Sequence, residues 1–296
     1  MTVLADGQIE LRAGDADALV IGPATSYRFA PDWLNWWAAP AVRTTDTPRT
    51  GANGVTAGRD LYGTHTTNLV VQLIADSASD LGDLIDAWKA ATAMTPDSTV
   101  TVRANLLGRT RRRVGRFRIP GEIIPRGKVT TGGHVANASC QFVAFDGRTY
   151  GDTLNEASTQ PVLPGSGFEA PVDVPFTLGA STLGVCTITN SGNIAAPWTA
   201  RLDGPLTGIT VSHVESGRRL DLSFTANGEL TLATGEYVTL DSDARSVLLN
   251  GTADRRTVLT VDSQWWDLEP GDNSFELTAD TGTGTLTVSA YDAYHS

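Results

Sequence analysis

The sequence predicts a mostly β protein in two parts: an N-terminal antiparallel β domain carrying one α-helix, of the α+β class, and a C-terminal all-β unit. Three observations predict it. Most segments alternate apolar and polar residues over four to eight positions, enriched in β-branched residues and punctuated by Gly, Asn, Asp or Pro. A single segment has helical spacing instead. Between Gly147 and Pro175 the periodicity lapses into breaker-rich sequence, and the charge balance changes across it.

In chain order, the first clear strand is Asn68 to Ala75. From Ser79 the apolar residues Leu81, Leu84, Ile85 and Trp88 fall at i, i+3, i+4 and i+7, with Ser79 or Asp80 able to cap, which predicts a helix over about 79–93. Its Leu/Ile/Trp face should lie on a sheet, and Asp80, Asp83 and Asp86 lie near its positive end. Thr99 to Leu107 and Arg111 to Ile119 flank Gly108-Arg109-Thr110 as a long hairpin, with Phe117 and Ile119 on one face and Arg116 and Arg118 on the other. Ser139 to Phe145 completes the first domain, residues 1–150. A linker is expected over 151–170. The second domain, 171–296, reads as strands at Val172 to Leu178, Val185 to Thr189, Ile209 to Val214, Leu220 to Phe224, Glu229 to Leu232, Tyr237 to Leu240, Ser246 to Asn250, Ser274 to Ala279 and Thr285 to Ala290. That count and spacing suit a sandwich or jelly roll.

A chain of 296 residues, 41% hydrophobic and 19% charged, can build one large or two ordinary cores. Apolar runs such as Leu69 to Ala75 fall far short of the roughly 20 residues that span a bilayer, so no membrane insertion is expected. The first ten residues lack a basic region followed by an apolar one, so the chain is expected to fold where it is made. Cys140 and Cys186 lack any paired spacing and read as two buried thiols. The net charge of -11 is uneven: residues 1–150 hold 16 basic against 14 acidic residues, and residues 151–296 hold 6 against 19. The acidic half should repel nucleic acid and anionic membrane and aid solubility.

Catalytic and cofactor signals are missing. His65, His134, His213 and His295 accompany no Gly-x-Ser-x-Gly elbow, and no His is near either Cys in sequence. Metal spacings are missing; Asp15/Asp17 and Asp241/Asp243 read as turn chemistry. Gly282-Thr283-Gly284 precedes a strand, not a helix that could hold phosphate. No enzyme and no cofactor are expected, with a two-carboxylate glycosidase as residual possibility. Arg109, Arg111, Arg112, Arg113, Arg116 and Arg118 could neutralise phosphates, but a solvated or subunit-facing basic strand is the better reading. The candidate assembly contacts are Trp33, Trp36, Trp37, Arg116 and Arg118, because indoles bury large area and keep an N–H for a partner. Under the alternative of a carbohydrate-binding adhesion module contacting host cell-wall glycan, the sugar-facing candidates are Trp198, Trp265 and Trp266. Adjacent Trp265 and Trp266 would point to opposite faces of a strand.

The second half carries an ordered series: Asn190-Ser191-Gly192-Asn193, Ala196-Pro197-Trp198, Gly204-Pro205, Gly235-Glu236 before the Asp241-bearing strand, Asn250-Gly251, and Trp265-Trp266-Asp267-Leu268-Glu269-Pro270-Gly271-Asp272-Asn273. This resembles the C-terminal domain of siphophage distal tail proteins. The first half resembles the same family's ring-forming domain through Val42-Arg43 to Asp46, Asn53-Gly54, Gly58-Arg59-Asp60, the single helix, and Gln141 to Asp146. Gly147 stands where the family often has Pro, and His65 where a basic residue is more usual. The resemblance implies a ring-forming first domain and a galectin-like β-sandwich. It implies a homo-oligomeric ring, a hexamer, at the distal end of the virion tail, assembled in the host cytoplasm. Its partners would be the tail tube protein, the tape-measure protein and the tail-associated fibre or lysin protein, with DNA only passing through the lumen.

Overall fold

The computed structural model describes residues 3–13, 18–29, 35–93, 99–119, 123–129, 133–162, 184–223 and 229–295. The chain divides into two compact units, Met1–Asp152 with Tyr294–Ser296, and Thr153–Ala293.

The first unit contains β1 (Gln8–Ala13), β2 (Leu19–Ile21), β3 (Tyr27–Phe29), β4 (Val42–Arg43), β5 (Thr47–Pro48), β6 (Val55–Thr56), β7 (Leu61–Tyr62), β8 (His65–Ala75), α1 (Ala78–Ala91), β9 (Val100–Leu106), β10 (Arg109–Ile119), β11 (Ile123–Val129) and β12 (Gly133–Ala144). β13 (Thr149–Thr159) passes from the first unit into the second. The main sheet is antiparallel in the order β2-β1-β9-β10-β12-β8-β3, with β11 also on β12. Register explains the core. Leu69, Val71 and Leu73 of β8 stand opposite Cys140, Ala138 and Ala136 of β12, and all six are buried. Strand alternation turns them to one face, which Val102, Ala104, Ile9 and Leu11 extend across β9 and β1.

Helix α1 lies on that face through buried Leu81 and Trp88, with Leu84 and Ile85 beside them. The N-cap is Ser77 rather than Ser79 or Asp80: its Oγ accepts from the Asp80 N–H at 3.1 Å. Apolar periodicity fixes the helix face, but the cap belongs to whichever hydroxyl sits where the backbone is still extended. Ser77→Ala should lower thermal stability by about 1 kcal/mol, measurable as a shift in melting temperature without a change in native circular dichroism.

The β9–β10 hairpin turns on Leu107-Gly108, not on Gly108-Arg109-Thr110: Leu106 pairs with Arg109, and Leu107 and Gly108 have φ of 57° and 70°. Positive φ at both central residues matches the twist of the flanking strands. A register shift follows Phe117, which is buried, while Arg116 and Arg118 are exposed.

The second unit continues with β14 (Val185–Asn190), β15 (Trp198–Asp203), β16 (Leu206–Thr207), β17 (Thr210–His213), β18 (Arg219–Asp221), β19 (Tyr237–Asp241), β20 (Ser246–Leu249), β21 (Ala253–Asp254), β22 (Gly271–Thr278), β23 (Thr281–Gly282) and β24 (Thr285–Tyr294). One sheet runs β14-β22-β17-β18, and another runs β24-β15-β19-β20-β21. Their inner faces meet: the Trp198 ring on β15 lies 5.1 Å from the Phe275 ring on β22, edge to face. Leu202, Val238, Leu240, Leu286 and Val288 on one sheet and Ile188, Val211 and Leu277 on the other are buried.

Several expectations are corrected. Residues 151–159, expected as linker, are strand, because β13 tolerates Gly151 while its alternate side chains are covered. Of Glu229 to Leu232, only Leu232 pairs, in an isolated bridge with Leu206. β15 was not among the strands expected from the sequence, although Trp-Thr-Ala-Arg-Leu-Asp alternates buried and exposed along it. Val172 to Leu178, the linker residues 163–170 and Phe224 lie outside the described residues.

Candidate assembly surfaces

Between β3 and β8 the chain forms an arm. β4 pairs with β7 and β5 with β6, so residues 42–62 fold back on themselves as a narrow ribbon. Between the two pairs, side chains replace the missing ladder. Thr45 Oγ1 donates to the Arg59 carbonyl at 3.0 Å and accepts from the Arg59 N–H at 2.8 Å, while Asp46 Oδ1 accepts from the Gly58 N–H at 2.8 Å. Gly58 is required there, since a Cβ would lie 2.3 Å from the Thr45 carbonyl oxygen. The tip is Gly51-Ala52-Asn53-Gly54. At the base the Gly63 N–H donates to the Ala41 carbonyl, and the Tyr62 ring meets the His295 ring edge-on at 5.4 Å.

Every residue from 41 to 62 is exposed. Val42 is 54%, Val55 48%, Leu61 39% and Tyr62 45% exposed. A two-stranded ribbon is marginal in water on its own, and among the described residues this one leaves Val42, Val55, Leu61 and Tyr62 substantially exposed. All the first-half residues of the resemblance from Val42 to Asp60 lie on it.

The aromatic cluster divides. Asn35 stands in for a strand at the edge of β8: its Nδ2 donates to the Thr66 carbonyl at 2.8 Å and its Oδ1 accepts from the Asn68 N–H at 3.0 Å. That pinning sends the next residue inward. Trp36, expected as an assembly contact, is fully buried, with the Arg113 guanidinium carbon 4.6 Å from its ring centroid. Trp37 is 46% exposed, Arg116 and Arg118 are exposed, and Arg116 lies over the Phe145 ring, itself 47% exposed. Trp33 lies outside the described residues.

The arginine strand is also not uniformly solvated. Arg113 shares the Phe117 face by alternation, and it is 1% exposed. Its Nη1 donates to His65 Nδ1 at 2.9 Å and its Nε to Thr149 Oγ1 at 3.0 Å; His65 Nε2 sits 2.9 Å from the Ala38 carbonyl. The pattern assigns the imidazole as neutral with its proton on Nε2. Burial, with the Arg113 charge adding to it, pushes the His65 pKa down to about 4, and burial pushes Arg113 down to about 10. On the opposite face, Arg103 is held by Asp152, through Nε at 2.7 Å and through Nη2, and by Glu10 Oε1 at 3.1 Å. Arg113 and Arg103 are interior structural ions.

In the second unit the sugar-facing candidates are corrected. Trp198 is 1% and Trp266 3% exposed, with ring centroids 5.0 Å apart. The Trp198 indole N–H donates to the Trp266 carbonyl at 2.9 Å. Trp265 is half-buried at 6.1 Å from Trp198, and neither Trp265 nor Trp266 lies in a strand. Trp198 and Trp266 are inward because the loop before β22 folds over the end of β15, a tertiary placement that strand alternation does not contain, while Trp265 stays half-buried.

The ordered motifs have a structural explanation the sequence reading did not supply. The Asn190 amide donates to the Ile194 and Leu268 carbonyls and accepts from the Gly192 and Ala293 N–H groups. Gly192 fits because a Cβ would lie 1.7 Å from the Ala293 carbonyl oxygen. Asn273 Nδ2 donates to the Glu269 and Gly271 carbonyls, closing the Leu-Glu-Pro-Gly-Asp-Asn loop. Asp241 Oδ1 accepts from the Asp243 and Ala244 N–H groups, the turn chemistry expected of it. Buried polar groups need such partners, so these residue types are dictated by backbone carbonyls and amides.

Residues 191–292 match the family model of the siphovirus-type tail component, C-terminal domain. No curated protein matches the chain. Among solved structures, the crystal structure of the SPP1 Dit protein, a paradigm of hub adsorption apparatus in phages infecting Gram-positive bacteria, matches with a TM-score of 0.58 at 12% identity, covering 95% of this chain and 98% of that one. The phage P2 baseplate in its activated conformation with Ca gives a TM-score of 0.48 at 11% identity, over 95% and 97% of the two chains. The second unit is thus a tail-component C-terminal domain. Over nearly its whole length the chain has the fold of the SPP1 Dit protein.

Proposed function

We propose that the chain is a structural, non-catalytic component of a phage tail hub, closing into a homo-oligomeric ring, a hexamer, at the distal end of the tail. The ring would join the tail tube and tape-measure proteins to the tail-associated fibre or lysin protein, with galectin-like second units and a lumen through which DNA passes. In the virion it sits at the tail tip, after assembly in the host cytoplasm.

The observation that carries the ring is the arm. A head-to-tail ring needs one surface on each subunit complementary to a different surface of the next. An exposed ribbon bearing Val42, Val55, Leu61 and Tyr62 is such a surface, and in a lone subunit it stays uncovered. Trp37, Arg116 and Arg118 are the further contact residues of this reading. The carbohydrate alternative has lost Trp198 and Trp266 to the core, and no other observation favours it.

Light scattering on the purified chain across concentration, followed by negative-stain imaging, tests the ring. Replacing residues 44–60 by Asn-Gly retains the β4–β7 pair. That variant should keep the parent circular dichroism and stay monomeric while the full chain forms a closed ring of about six subunits. A full chain that is monomeric at every concentration overturns the reading.

A further inference from the structure

We propose that Asn53, at the tip of the arm, is a site of spontaneous covalent modification, converting to aspartyl and isoaspartyl forms through a cyclic imide. The chemistry needs an asparagine followed by glycine, a peptide nitrogen open to attack, and a side chain free to swing onto it. The sequence has three Asn-Gly steps, at 53, 227 and 250. Asn227 lies outside the described residues, and the other two are both exposed, which makes them a matched pair.

Their geometry differs. Asn250 is held at both ends: its N–H donates to the Tyr237 carbonyl at 2.9 Å and its Oδ1 accepts from the Tyr237 N–H at 3.0 Å. Its side-chain carbonyl is therefore turned onto β19, away from the Gly251 nitrogen. Around Asn53, among the described residues, the one backbone tie at the tip is the Arg49 N–H to the Gly54 carbonyl at 3.2 Å. Gly54 has φ of +93°, and a Cβ built on it would meet nothing within 4 Å. Exposed loop tips are where such tolerance to local rearrangement concentrates.

The Gly54 nitrogen, its proton passed to water, attacks Asn53 Cγ. A new C–N bond closes the five-membered imide, the Cγ–Nδ2 bond breaks, and ammonia leaves. Water then opens either imide carbonyl, giving an aspartyl or an isoaspartyl residue without any change of oxidation state. Either product adds a negative charge to a tip that carries none between Arg49 and Arg59, and the isoaspartyl form also lengthens the backbone. The effect on assembly rests on the arm reading above: subunits that wait unassembled lose docking competence, and docked ones are shielded.

The full chain, incubated in mildly alkaline buffer and digested, should show the amide-to-acid mass gain and an isoaspartyl signal on the arm peptide several-fold faster than on the Asn250 peptide. Asn53→Gln should abolish the arm signal and leave the Asn250 rate unchanged. Equal rates at the two sites, or no conversion at Asn53, overturn the modification. Conversion that leaves ring formation by light scattering intact keeps the modification and removes the arm tip from the docking surface.

Discussion

Trp198→Ala is expected to unfold the second unit of this protein, or to leave it about 3–5 kcal/mol less stable. The indole is 1% exposed, has its ring centroid 5.0 Å from that of Trp266 and 5.1 Å from that of Phe275, and donates its N–H to the Trp266 carbonyl. Truncation leaves a cavity where the two sheets meet, and it strands a buried carbonyl, which costs a further ~1–3 kcal/mol if no water enters. Trp198→Phe separates the two effects, since it keeps most of the ring volume and loses only the donor. Calorimetry with near-ultraviolet circular dichroism reads both variants, and a Trp198→Ala protein that melts like the parent would show that the core does not depend on this ring. Loss of glycan binding in such a variant would report unfolding, not a sugar contact. Trp36→Ala belongs to the same class in the first unit, because Trp36 covers the Arg113 guanidinium.

Acidification should destabilise the first unit well before its carboxylates are protonated. Burial, reinforced by Arg113, lowers the His65 pKa from 6.5 to about 4 in the folded state. Below pH 6.5 the unfolded chain takes up a proton that the folded chain refuses, so the unfolded state gains. The stability is fully present above that pH and drains away down to about 4, a loss of about 3 kcal/mol at most. The Asp152 carboxyl, held below the usual range by its hydrogen bonds from Arg103, adds its own loss only at lower pH. Urea midpoints measured from neutral pH downward should fall in two stages. His65→Gln should flatten the upper stage and leave the lower one; an unchanged upper slope would move its origin to another histidine.

How much of this was legible in the sequence depends on whether the signal was local. The helix was, because Leu81, Leu84, Ile85 and Trp88 share a face whatever lies beneath them. The long strands β8, β9 and β12 were, because one buried face writes a period of two. The arm was not: its strands are two residues long, and no core imposes alternation on them. Arg113 was legible in part. Counting alternate positions back from Phe117 places it inward, but the density of charge around it argued for solvent. The inward turn of Trp198 and Trp266 was beyond reach, since it depends on a loop folding over a strand nearly seventy residues earlier. The resemblance located the right residues on the arm and around Asn190 and Asn273, and only the structure shows that those asparagines are braces for neighbouring backbone.

The pairing of β15 with both β19 and β24 sets an order of events during synthesis. Thr199 lies opposite Asp241 on one side and Ser289 on the other, and the Asn190 amide closes on Ala293. While the ribosome is still adding the residues of β24, β15 has one empty edge and Asn190 one unmet acceptor. Non-local pairings of this kind are slow to form because the intervening chain must first be ordered. The sheet of the second unit therefore keeps an open edge along β15 until residues 285–293 pair with it.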